Sequence, residues 1–225
     1  MLPCKTSEIL ICFADRSESQ VIRRIRPDLR LLHTGMGQEN AKNALAKHLL
    51  SNSPAVIVSS GFAGGLNPSL TKGTVLFESE TIFFPPQSLG PLSLTKGTFH
   101  SAEKVATTIE EKSALWQSTQ CDAIEMESFA IKAIADSEGI PFLSLRVISD
   151  SAEEPLPLDF NQIMTPRMRI SFPKLAWHLM KRPQLIPRLL RFNQSVKYVA
   201  NQLATAVSAL IPEQNANISR DYETH

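Results

Sequence analysis

Cysteine is scarce in this sequence. Cys4, Cys12 and Cys121 are odd in number and widely spaced. That argues against a disulfide framework and for a reducing compartment. No CxxC pair or Cys/His cluster marks a metal site. No stretch approaches the roughly 20 apolar residues that a spanning helix needs. No long apolar run follows a basic start, so no signal peptide is expected, and a cytoplasmic protein is. Another absence is local. Residues 160–212 contain no Asp or Glu, but carry Arg167, Arg169, Lys174, Lys181, Arg182, Arg188, Arg191 and Lys197. That segment is +8, while the remaining 15 basic and 22 acidic residues sum to −7.

What is present reads as one α/β domain over residues 1–212, with a polar tail at 213–225. A chain of 225 residues, 43% hydrophobic and 20% charged, can bury one sizeable core. The central signal is Ala123-Ile124-Glu125-Met126-Glu127-Ser128, followed one helix later by Arg146-Val147-Ile148-Ser149-Asp150. Between them, residues 129–138 predict a helix, with Ala130, Ala133 and Ile134 on one face. Gly139 suits the C′ position that ends it. Residues 142–148 form an apolar run of strand length. This places Glu125 and Glu127 in a loop and Asp150 at a strand's carboxyl end, where open α/β sheets bind ligands.

Earlier in the chain, residues 9–13 predict a first buried strand. Asp15 and Glu18 follow it, readable either as site carboxylates or as an acidic first helical turn. Residues 29–33 predict a strand running into Thr34-Gly35-Met36-Gly37 and then an amphipathic helix through Ala41, Ala44, Leu45 and Leu49. Residues 54–58 predict a strand running into a glycine loop, Ser59-Ser60-Gly61-Phe62-Ala63-Gly64-Gly65. Gly35-x-Gly37 is not a dinucleotide fingerprint, because Asn40 stands at the third glycine and no acid follows the next strand. Further strands are expected at 74–77, 80–84 and 92–95, with a proline-rich loop at 85–91 and Phe99-His100 just after the last strand.

The blocks Thr34-Gly35-Met36-Gly37, Ser60-Gly61-Phe62-Ala63-Gly64-Gly65-Leu66, Ile124-Glu125-Met126-Glu127-Ser128 and Arg146-Val147-Ile148-Ser149-Asp150 resemble, in order and spacing, the nucleoside phosphorylase and nucleosidase superfamily. The similarity covers residues 9–154. A finer resemblance is to its hopanoid-biosynthesis branch, on the short interval between Phe13 and Gly35, on Asp150-Ser151-Ala152-Glu153-Glu154-Pro155 and on the segment from Lys181 to Leu190. The superfamily implies a three-layer α/β/α fold with a mixed central sheet. It implies cleavage of the N-glycosidic bond of a 5′-substituted adenosine, adenosylhopane-like in the finer branch, with release of adenine. Activity on methylthioadenosine or S-adenosylhomocysteine, and phosphorolysis, stay open. So does a membrane-peripheral nucleoside-binding protein without catalysis. No metal or organic cofactor is implied, inorganic phosphate entering only if the reaction is phosphorolytic, and a homo-oligomer is expected.

By the resemblance, Asp150 is the acid that protonates the leaving purine, with burial keeping its proton available. Glu127 binds the ribose, Met126 lies against the sugar, and Phe99 stacks on the base beside His100. Gly61, Phe62 and Ser149 complete the substrate contacts. Glu125 is a substrate ligand or, by alternation about Met126, a salt-bridge partner. Ser59 and Phe62 stand where phosphorylases carry an arginine and a serine, which favours water as nucleophile. Glu18 is then the base, with Asp15 as the alternative.

The acid-free segment has two readings. A long helix over 188–210, with Leu189, Phe192, Val196, Val199, Leu203 and Val207 on one side, packs on the sheet. Residues 166–192 mix cations with Trp177, Phe172 and leucines, as an element facing an anionic membrane would. Nucleic acid is not the expected partner.

Overall fold

The computed structural model describes residues 5–79 and 94–211. After a short 3-10 turn, β1 (Ile9–Phe13), α1 (Arg16–Ile25), β2 (Arg30–His33), α2 (Gln38–Leu49) and β3 (Val56–Gly65) form the first half. There follow β4 (Val75–Glu78), β5 (Leu94–Lys96), β6 (Phe99–Ser101), α3 (Ile109–Thr119), β7 (Ala123–Glu125), α4 (Ser128–Ser137) and β8 (Phe142–Asp150). The chain continues as α5 (Phe160–Ile163), α6 (Phe172–Lys181) and α7 (Leu185–Leu210). The sheet runs β2-β1-β3-β8-β4-β5, with β7 on the far end of β3 and β6 on β7. It is mixed, because β4 is antiparallel to β8 and β7 antiparallel to β3.

The period-2 geometry of β1 sets the layers. Ile9, Ile11 and Phe13 point into one core, closed by Val199, Leu203 and Val207 of α7. Leu10 and Cys12 point into the other, closed by Ala41 and Leu45 of α2 and Ile131 and Ala135 of α4. Strands covered on both faces read as continuous apolar runs, which is why β1 and β8 are legible without alternation. The three-layer α/β/α expectation holds.

Four local expectations change. The glycine block is not a loop: β3 runs through it to Gly65, bending where its register with β8 shifts between Ala63 and Gly64. Phe99 and His100 lie inside β6, paired with Ala123 and Ile124. Glu125 closes β7 rather than sitting in a loop. The long helix begins at Leu185, because Pro187 falls in its first turn, where no N–H is needed. The strand expected at 80–84, the loop at 85–91 and the tail at 213–225 lie outside the described residues, as does the start of the 92–95 strand.

Candidate active site

The carboxyl ends of β1, β3 and β8 open on a cavity of about 660 Å³. Its wall includes Glu18, Phe62, Met126, Glu127, Ser149 and Asp150, along with Asp15. Residues far apart in sequence are thus gathered where the parallel strands end.

Asp15 caps α1, its Oδ1 accepting from Ser17 N at 2.7 Å, while Glu18 three residues on accepts from Asp15 N at 3.1 Å. The same Glu18 carboxylate accepts from Phe62 N at 3.0 Å. The acidic helix turn and the site carboxylate are therefore one residue. Burial pushes the Glu18 carboxyl above its ordinary range, opposed by the Phe62 N–H and by Arg146. Gly61 does not line the cavity. A Cβ there would stand 2.5 Å from Glu18 Oε1 and 3.2 Å from Arg146 Nη1, so its missing side chain is the space those groups occupy.

Glu127 reaches the wall from the start of α4. Its Oε1 accepts from Gly37 N at 2.8 Å. Gly35 and Gly37 both have positive φ, +84° and +86°, and this turn aims the amide at the carboxyl. Burial pushes Glu127 up to about 8, assisted by Glu125 and Glu18 and opposed by Arg146.

Arg146 is a residue that motif reading quoted but gave no role. It is 2% exposed on β8. Its Nη2 donates to Glu125 Oε2 at 2.8 Å and to Ser59 Oγ and Ser128 Oγ at 2.9 Å each, and lies 3.9 Å from Glu127 Oε2. Burial works against its charge, but Glu125 and Glu127 outweigh it and raise its pKa. Glu125 is consequently a correction to the substrate-ligand expectation. Besides Arg146 it accepts from Glu127 N at 2.8 Å and Ser128 N at 2.7 Å. Burial would raise its pKa, but Arg146 and those N–H groups hold it below the ordinary range. It fixes Arg146 and the start of α4, off the cavity wall.

Asp150 is the last residue of β8. Its Oδ1 accepts from Ser149 Oγ, and its Oδ2 accepts from Lys112 Nζ at 2.5 Å. Lys112, on α3, is fully buried and also donates to Ser151 O at 2.8 Å and Glu154 O at 2.7 Å. All three ammonium protons are used. Asp150 is thus not surrounded by apolar groups only, since an ammonium faces one of its oxygens. No sequence signal marks Lys112, because a lysine on a polar helix reads as exposed.

Phe99 and His100 are also corrections. Neither is on the wall, and Phe99 packs against Ala63, Leu76, Ala123 and Ile148. The neighbouring wall is made instead by Lys104, Val105 and Ala106. Val105 is clasped by Asn161, which accepts from its N–H at 3.1 Å and donates to its carbonyl at 2.9 Å. The lining also includes an apolar set, Leu156, Phe160, Met164, Met168, Ile170 and Phe192, with Arg169 among them. Among the described residues, no group of three His, Cys, Asp or Glu could hold a metal.

The chain is similar to known proteins in sequence and in fold. Residues 79–180 match the phosphorylase superfamily model. A 5′-methylthioadenosine/S-adenosylhomocysteine nucleosidase of Actinobacillus succinogenes is 26% identical over 168 residues, 60% of this chain and 73% of that protein. The enzyme of the same name from Shewanella halifaxensis is 24% identical over 169 residues, 60% and 74% of the two chains. Among solved structures, the Neisseria meningitidis nucleosidase in complex with methylthio-immucillin-A superposes with a TM-score of 0.66, at 16% identity, over 90% of this chain and 97% of that one. Futalosine hydrolase of Helicobacter pylori gives 0.63 at 16% identity, over 90% and 96%. The chain thus matches the phosphorylase superfamily model over residues 79–180 and shares the fold of these nucleosidase structures.

Proposed function

We propose that the protein is a nucleosidase that hydrolyses the N-glycosidic bond of a 5′-substituted adenosine and releases adenine. The observation that carries this is the placement, on one cavity, of Asp150 with Ser149 at one strand end and of Glu18 and Glu127 beside Arg146 at the others. Cleavage of such a bond develops positive charge on the sugar and negative charge on the leaving base. Glu127 lines the cavity where it can hydrogen-bond ribose hydroxyls, and its ionised form favours the cationic sugar. Met126 offers a polarizable surface beside it. Asp150, held by Ser149 and Lys112, addresses the base, and as an ion-paired carboxylate it relays to the ring a proton that it takes from solvent.

The nucleophile is water. Glu18 and Glu127 both line the region a nucleophile must enter, and neither offers a phosphate dianion a positive charge. The guanidinium of Arg146 is already engaged by Glu125, Ser59 and Ser128. Glu18, raised by burial, is placed as the base that takes the water's proton.

We place the 5′ substituent against Leu156, Phe160, Met164 and Phe192, apolar residues of the cavity lining. We read this as favouring a bulky apolar group of the adenosylhopane type. The named relatives favour a second reading, methylthioadenosine or S-adenosylhomocysteine. Adenine release from all three nucleosides, each with and without phosphate, tests both. Phosphate-independent release is expected. A strict phosphate requirement overturns hydrolysis, and release from none overturns the enzyme.

Glu127 also makes a pH prediction. In the folded protein it holds a proton to about 8, whereas its ordinary value is 4.5. The folded state therefore binds more protons than the unfolded one across that window. Stability falls as pH rises through it, by roughly 1.4 kcal/mol per pH unit at most. Glu127→Gln should remove that slope. Melting curves from about pH 5 to about pH 9 should move in favour of the variant as pH rises, while turnover falls roughly 100-fold or more.

A further inference from the structure

α6 has apolar residues on both of its sides. Leu175 and Leu179 face inward, packing with Leu185 and Leu189 of α7 on Leu158 and Ile163. Pro173, Ala176, Trp177 and Met180, at i, i+3, i+4 and i+7, make a second stripe facing outward. Trp177 is 54% exposed and Met180 73%. Ile186 and Leu190 extend this face onto α7 at 45% and 60%. Large side chains lose by such exposure unless something covers them.

The surrounding charge is of one sign. Lys174, Lys181, Arg182, Arg188 and Arg191 border these residues. Among the described residues none of these five forms an ion pair. Lys181 Nζ instead lies 4.4 Å over the ring of Trp177. We propose that this face of α6 and the first turns of α7 docks on an anionic lipid bilayer.

The charge decides between occupants. A two-fold contact of this face with its own copy sets the same patch against itself, cation on cation, with no carboxylate to answer. An anionic surface is complementary. Nucleic acid would leave the aliphatic Met180, Ile186 and Leu190 without partners, whereas a bilayer takes them among its acyl chains. Among the described residues no helix is long and apolar enough to cross a membrane, so the mode is peripheral.

The docking face is continuous with the cavity. Arg169 and Ile170, just before α6, belong to the cavity lining together with Phe172 of α6 and Phe192 of α7. Docking would thus set the apolar side of the cavity at the lipid surface, from which a nucleoside with an apolar tail could enter. This delivery role rests on the nucleosidase reading, whereas the docking itself does not.

Sedimentation of the full chain with vesicles, without substrate, separates the two. Vesicles of phosphatidylcholine mixed with phosphatidylglycerol should carry the protein down at low salt and release it at high salt, and phosphatidylcholine alone should not. Trp177→Glu with Met180→Glu, and separately Arg182→Glu with Arg188→Glu, should each lower partitioning roughly tenfold or more. Adenine release from a soluble nucleoside should be unchanged in both variants. Absence of sedimentation at low salt overturns docking, as does equal binding to neutral vesicles. So does a wild-type dimer that the Trp177/Met180 variant converts to monomer without loss of vesicle binding. If docking holds but no nucleoside is cleaved, the fault lies in the nucleosidase reading alone.

Discussion

Asp150→Asn should lower adenine release by at least about a thousandfold, and it should also destabilise the protein. The second effect comes from Lys112. Asparagine leaves a fully buried ammonium with two carbonyls and no counter-charge. Removing one partner of a buried ion pair costs about 3–5 kcal/mol, because the other charge stays desolvated. For a chain of this size that is a drop in Tm on the order of 10 °C. Adding Lys112→Met to Asp150→Asn should recover most of the lost stability and none of the turnover. Thermal melts of wild type, both single variants and the double variant, read beside turnover, separate the two roles. Full activity in Asp150→Asn would remove Asp150 from the chemistry. Equal stability of the single and double variants would mean that the ion pair contributes no coupling.

Arg146→Met should have an effect of comparable size by another route. Arg146 links Glu125, Ser59 and Ser128 at 2.8–2.9 Å and lies 3.9 Å from Glu127. Methionine fills much of the volume but leaves Glu125 buried at 4% exposure with only backbone donors. A loss of about 3–5 kcal/mol is expected. The same substitution removes the positive charge that lowers both Glu127 and Glu18. Turnover at neutral pH should fall by roughly 100-fold or more, and the residual activity should shift to higher pH. Glu125→Gln with Arg146→Met should restore stability but not the pH optimum. A pH–rate profile of the double variant that matches wild type would refute the coupling.

Local structure was legible from neighbouring residues. β1 and β8 were legible because buried strands of a parallel sheet are apolar throughout. α4 and its stop were legible from a helical period ending at Gly139, whose φ is +64°. Glu18, Glu127 and Asp150 were legible as carboxylates at strand ends or helix starts, and the structure sets all three on one cavity.

How those groups are held depends on contacts between elements distant in the chain. Lys112 meets Asp150 across 38 positions, and Arg146 meets Glu125 across 21. Neither distance has a period to be read. Glu125 and Glu127 look equivalent in sequence, but the strand ends at the first of them. The chain turns there into α4, so Glu125 points at Arg146 and Glu127 at the cavity. Phe99 sits in a strand that packs on the sheet, and the wall beside it falls to Val105, a residue with no chemical signature of its own. Local propensity is written in neighbouring residues, whereas charge pairing and wall placement depend on which elements fold against each other.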